Sequence, residues 1–160
     1  MKPVSIAELI KKTVQYSLKD SGVKCKYHIC EDILPLMLDE GQIKQVISNI
    51  VANARESMPD GGDINIYIEN FAITSKDNIS QKEGEYVKIS IEDHGVGIAA
   101  DDIFKVFDPY FSTKEMGSQK GIGLGLAVCY SIVKNHGGFI TVNSEVGKGS
   151  TFNIFLPFPD

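Results

Sequence analysis

The most restrictive feature of this chain is one long one-faced helix followed by two one-faced strands. From Gln42 to Met58, apolar side chains at Ile43, Val46, Ile47, Ile50, Val51 and Ala54 form a single arc at helical spacing. Pro59-Asp60-Gly61-Gly62 then stops the helix and turns the chain. Next, Ile64, Ile66 and Ile68 alternate with polar residues, and Val87, Ile89 and Ile91 do the same after a polar loop over residues 74–84. A helix with one apolar stripe and a strand with one apolar face are stable only when each covers the other.

The flanking segments repeat the pattern. Ile6, Leu9, Ile10, Val14 and Leu18 predict a helix, with Ser5 and Glu8 spaced as a capping box. Residues 24–29 read as a short strand, and residues 34–36 as a connection that leads to Asp39 as a helix cap. Residues 124–135 are again helical, and 139–142 and 151–156 read as two closing strands. The fold class expected is α+β, a two-layer α/β sandwich with helices on one face of a mixed sheet. All 160 residues are expected to form one domain, with residues 1–4 as a linker remnant.

Charge and cysteine usage narrow the function classes. A net charge of −5 argues against nucleic acid as the main partner, because a protein that tracks a phosphate backbone carries a basic face. It does not argue against a single phosphate ligand held by backbone N–H groups. Cys25, Cys30 and Cys129 form no C-x-x-C and are expected to be reduced thiols. No apolar run approaches a membrane span, and the N-terminus lacks a signal-peptide pattern. The domain is therefore expected in the cytoplasm, whether or not its parent chain is membrane-anchored. His28, His94 and His136 lack metal-ligand spacing. His136 is expected at a helix end, where an imidazole suits the dipole. There is no G-x-S-x-G, no H-R-D loop, no V-A-I-K and no Walker A motif.

Five short patterns carry chemistry. Gln45, Asn49 and Asn53 form a polar stripe beside the apolar arc, since residues four apart share a helix face. A carboxamide oxygen is a hard neutral ligand suited to Mg²⁺ that carries phosphates and water. Asp93-His94-Gly95-Val96-Gly97 follows a strand directly, so a carboxylate stands where it can accept from an exocyclic amine. Phe107 through Lys114 crowds aromatics into a loop and ends on a cation. Gly121, Gly123 and Gly125 lead into a helix, and a helix N-terminus offers N–H groups to an anion. Gly147-Lys148-Gly149-Ser150-Thr151 precedes the last strand.

Taken in this order, the patterns resemble the catalytic and ATP-binding domain of sensor histidine kinases. That family shares a superfamily with type II topoisomerases, a heat-shock chaperone and a mismatch-repair ATPase. The resemblance covers roughly residues 5–157 and implies the Bergerat fold, a mostly antiparallel mixed sheet under three helices with an ATP lid at about residues 108–122. It implies ATP and Mg²⁺ as ligands, with Asn53 on the metal and Asp93 reading adenine. Gly95, Gly97, Ile98, Phe107, Gly121, Gly123, Leu124, Gly125 and Thr151 would complete the nucleotide site. Asn49 and Lys114 are the catalytic candidates, with Lys120 second to Lys114 as a phosphate cation. Arg55, the sole arginine, should lie opposite Asn53.

The hydrolytic relatives carry a glutamate where this chain has Asn49, and a carboxamide is no general base. The resemblance therefore implies phosphoryl transfer to a histidine in a two-component system, with little hydrolysis. The acceptor histidine would lie on a separate dimerisation or histidine phosphotransfer domain, on the same chain or a partner, and a response regulator would follow indirectly. The chain would begin just after that domain and be a monomer when isolated. A nucleotide-sensing module without transfer, a serine kinase of the same superfamily and a hydrolytic ATPase are the alternatives.

Overall fold

The computed structural model describes residues 1–77, 81–107 and 122–159. Seven strands and three helices follow one another in these residues: β1 (Lys2–Val4), α1 (Ile6–Ser17), β2 (Val23–Ile29), β3 (Leu36–Leu38), α2 (Glu40–Ser57), β4 (Gly62–Ile73), β5 (Gly84–Glu92), α3 (Ile122–Asn135), β6 (Phe139–Glu145) and β7 (Gly149–Pro157). A 3₁₀ segment, Ala100–Lys105, follows β5 and has no counterpart in the sequence expectations.

The main sheet runs β2-β4-β5-β7-β6, with β2 and β4 parallel and every other pair antiparallel. One face carries Ile64, Ile66, Ile68, Ile89, Ile91, Phe152, Ile154 and Leu156. Ile43, Ile47 and Ile50 of α2 join these residues in one buried cluster, as do Ile6 and Ile10 of α1 and Cys129 and Val133 of α3. The two-layer sandwich is thus the architecture, and α2 packs against both α1 and α3.

The helix ends show how side chains set the layout. Asp39 caps α2 by accepting from the Gln42 N–H at 3.0 Å. Ser5 precedes α1 without a side-chain cap bond, so the expected capping box does not form. Arg55 donates to the Ser17 carbonyl at 3.3 Å, which ties the end of α1 to α2. His136 follows α3 directly, at the helix end where the sequence placed it. Its Nε2 accepts from the Asp39 N–H at 3.1 Å, so its Nδ1 donates to the Ile132 carbonyl at 2.8 Å. Lys2–Val4 is not a loose linker: it pairs antiparallel with Leu36–Leu38 and buries Val4. The expected connection at residues 34–36 therefore ends in a strand.

Candidate functional site

The polar stripe of α2 runs along its length toward the far ends of β5 and β7. Gln45 is exposed, whereas Asn49 and Asn53 are half-buried. Asn49 donates through Nδ2 to the Gly125 carbonyl at 3.3 Å, so it ties α2 to the first turn of α3. The Asn53 carboxamide makes no hydrogen bond to another described residue.

Asp93 follows β5 directly and continues the helix-facing side of the sheet set by Ile89 and Ile91. The residue is 5% exposed. Oδ1 accepts two backbone donors, the Gly95 N–H at 2.9 Å and the Ser150 N–H at 3.2 Å. The Ser57 hydroxyl also faces the carboxylate, and its Oγ lies 2.8 Å from the Ala54 carbonyl. Burial raises the pKa of Asp93 from its ordinary value, and those three donors together with His94 oppose the rise. A desolvated carboxylate with one oxygen saturated is a directional acceptor for whatever reaches the other.

Two close approaches hold this corner. A Cβ on Gly95 would collide with the hydroxyl and carbonyl of Ser57. Gly149 sits at φ 126°, and a Cβ there would collide with the Asp93 carbonyl. Gly97 is buried between two ties: Gly147 donates its N–H to the Val96 carbonyl at 2.9 Å, and Ile98 donates its N–H to Ser144 Oγ at 2.7 Å. The Ile98 side chain packs on the core. Phe107 packs against the rings of Tyr130 and Phe152, with centroids 5.8 and 6.3 Å away, which pins the chain just before residue 108.

The structure relocates one expected hydroxyl. Successive strand residues face opposite ways, and Thr151 pairs with Glu92 and Asn143 on the sheet face away from the helices. Ser150, one residue earlier, is buried beside Asp93 and also meets Ser144, with their hydroxyls 2.7 Å apart. Ser57 and Ser150 were both missed from sequence. Ser57 did carry a signal, since it extends the Asn49–Asn53 spacing by one more turn.

Gly123, Leu124 and Gly125 lie in the first turn of α3. A Cβ on Gly125 would meet Asn49 only at ordinary contact distance, 3.7 Å. Lys114, Lys120, Gly121 and the lid up to residue 121 lie outside the described residues, as does Phe111. A cleft of about 440 Å³ lies elsewhere, between Leu34, Phe71 and Phe158. Asp32 and Glu85 are the charged residues on its wall, which suits a phosphate poorly.

Residues 38–160 match the family model described as histidine kinase-, DNA gyrase B-, and HSP90-like ATPase. Sensor kinase CckA of Brucella abortus is 42% identical over 155 residues, which cover 95% of this chain and 15% of that protein. The chain therefore spans a small part of that curated relative. Among solved structures, the mycobacterial sensor histidine kinase MprB superposes with a TM-score of 0.79 at 23% identity, covering 99% of this chain and all of that one. Full-length ShkA in complex with AMPPNP gives 0.77 at 24% identity, covering 98% of this chain and 30% of that one.

Proposed function

Since this chain belongs to the histidine kinase-, DNA gyrase B- and HSP90-like ATPase family, we propose that it binds Mg-ATP and donates the γ-phosphoryl group to a histidine on a separate domain. The observation that carries the reading is Asp93: a desolvated carboxylate, fixed through Oδ1, at the end of a seam that Asn49 and Asn53 of α2 also line. Its second oxygen accepts from the exocyclic amine of adenine. Guanine presents a carbonyl at that position and is repelled. The relative solved with AMPPNP supports a nucleotide in this fold.

Asn53 fits a magnesium ion that travels with the phosphates, because its half-buried oxygen is a hard donor with no bond to another described residue. Mg²⁺ supplies charge neutralisation on the phosphates when bound. The N-terminus of α3, with Gly123, Leu124 and Gly125, offers backbone N–H groups to the phosphates. Lys114 remains the cation proposed for the γ-phosphate. Phosphoryl transfer demands mainly positioning and electrostatics, and these residues supply both.

Asn49 favours transfer over hydrolysis. Its amide N–H is given to the Gly125 carbonyl, and a carboxamide cannot take a proton from water. The test is incubation with ATP labelled on its γ-phosphate and the parent protein's histidine-bearing domain. Acid-labile label on that domain is the expected result. Acid-stable label would point to a hydroxyl acceptor, and steady phosphate release by the isolated chain would point to an ATPase.

A further inference from the structure

One hydroxyl at this corner has no role in the scheme above. Ser57 is the last residue of α2, four after Asn53 and eight after Asn49, so all three share a helix face. Its Oγ lies 2.8 Å from the Ala54 carbonyl, the usual resting partner of a serine in a helix. The same hydroxyl faces Asp93 and is crowded by the Gly95 backbone. It has one proton and two neighbouring acceptors. Asp93 Oδ1 accepts from Gly95 and Ser150, and the carboxylate has lone pairs left for a further donor from α2.

We propose that Ser57 is a positioning residue for Asp93: a turn about its Cα–Cβ bond moves the proton from the Ala54 carbonyl to the carboxylate and fixes the oxygen that accepts the purine amine. The inference rests on the nucleotide reading of the preceding subsection. It gives α2 two duties one turn apart, Asn53 toward the phosphates and Ser57 toward the base. A water on Asp93 would be held by the same hydroxyl. Among the described residues, the groups that face Asp93 are His94 and the Gly95 N–H from its own segment, Ser57 from α2 and the Ser150 N–H from β7, and of these only His94 can carry charge.

The experiment compares the wild type with Ser57→Ala and Ser57→Cys by calorimetric titration of Mg-ADP across pH, with a thermal melt of each variant. Losing one donor to a carboxylate is expected to weaken Mg-ADP binding roughly five- to tenfold. The pH at which acid abolishes binding should also move upward, because the ionised form of Asp93 has lost a donor. Ser57→Cys, with a weaker donor, should fall between, and it carries the comparison if the alanine variant melts early. The carboxylate carbon of Asp93, followed by NMR without nucleotide, should titrate at higher pH in Ser57→Ala. Equal affinity with an unmoved acid limb overturns the proposal while leaving the nucleotide reading intact. A wild type that does not bind Mg-ADP removes the nucleotide reading, and an unmoved Asp93 titration would then overturn the Ser57 contact separately.

Discussion

Replacing Asp93 with asparagine should separate affinity from stability. Asparagine keeps the shape and one carbonyl oxygen, which can still accept from the Gly95 and Ser150 N–H groups. Its amide NH₂ then takes the place of the second oxygen and faces the adenine amine, donor against donor. A hydrogen bond to a charged group contributes about 1.5–3 kcal/mol, so Mg-ADP should bind roughly 10- to 150-fold more weakly. Stability should move the other way or not at all. Burial disfavours the carboxylate, and the neutral amide escapes that cost, while the Ser57 oxygen can accept from the new NH₂. Calorimetry gives the first quantity and thermal denaturation the second. The reasoning fails if the variant binds Mg-ADP as tightly as the wild type. It also fails if affinity is lost only because the fold melts.

The raised pKa of Asp93 sets a pH signature. Nucleotide affinity should fall on acidification from a pH above the range in which an ordinary aspartate protonates, as titrations of Mg-ADP at stepped pH would record. The stability linked to the same group has the opposite sense: it is fully present below the unfolded-state pKa and lost as pH rises through the raised folded-state value. Asn53→Ala should weaken Mg-ATP binding about tenfold or more and remove its dependence on magnesium, with little effect on ADP measured without the metal. Gly149→Ala should cost about 2 kcal/mol or more in chemical denaturation, since its φ is positive and its Cβ would meet the Asp93 carbonyl.

Much of the architecture was legible because it rests on period. The apolar arc from Ile43 to Ala54 and the alternation at Ile64–Ile68 and Val87–Ile91 each repeat long enough to fix both element and buried face. Residues 1–4 and 34–36 were read as linker and connection, and the short strands Lys2–Val4 and Leu36–Leu38 were missed, because three residues contain no period and their pairing joins distant segments. The placing of the candidate groups was legible where an element boundary or a helix face sets it: Asp93 is buried directly after β5, and Asn53 is half-buried on the stripe of α2. It was misread where phase matters. After Gly147 and Gly149, sequence alone does not say which of Ser150 and Thr151 faces inward, and the register with Ser144 and Asp93 decides it. That His136 also ties the end of α3 to the start of α2 was not legible, because its Nε2 partner, the Asp39 N–H, lies almost a hundred residues away in sequence.

The central claim is that nucleotide sits at the seam of α2, the segment after β5, and β7. Backbone amide shifts recorded while Mg-ADP is added test it most directly. The expected result is saturable shifts at Asn53, Ser57, Asp93 through Ile98, Gly125 and Ser150, with the cleft between Leu34, Phe71 and Phe158 unmoved. Shifts confined to that cleft, or none at a saturating concentration, would contradict the account.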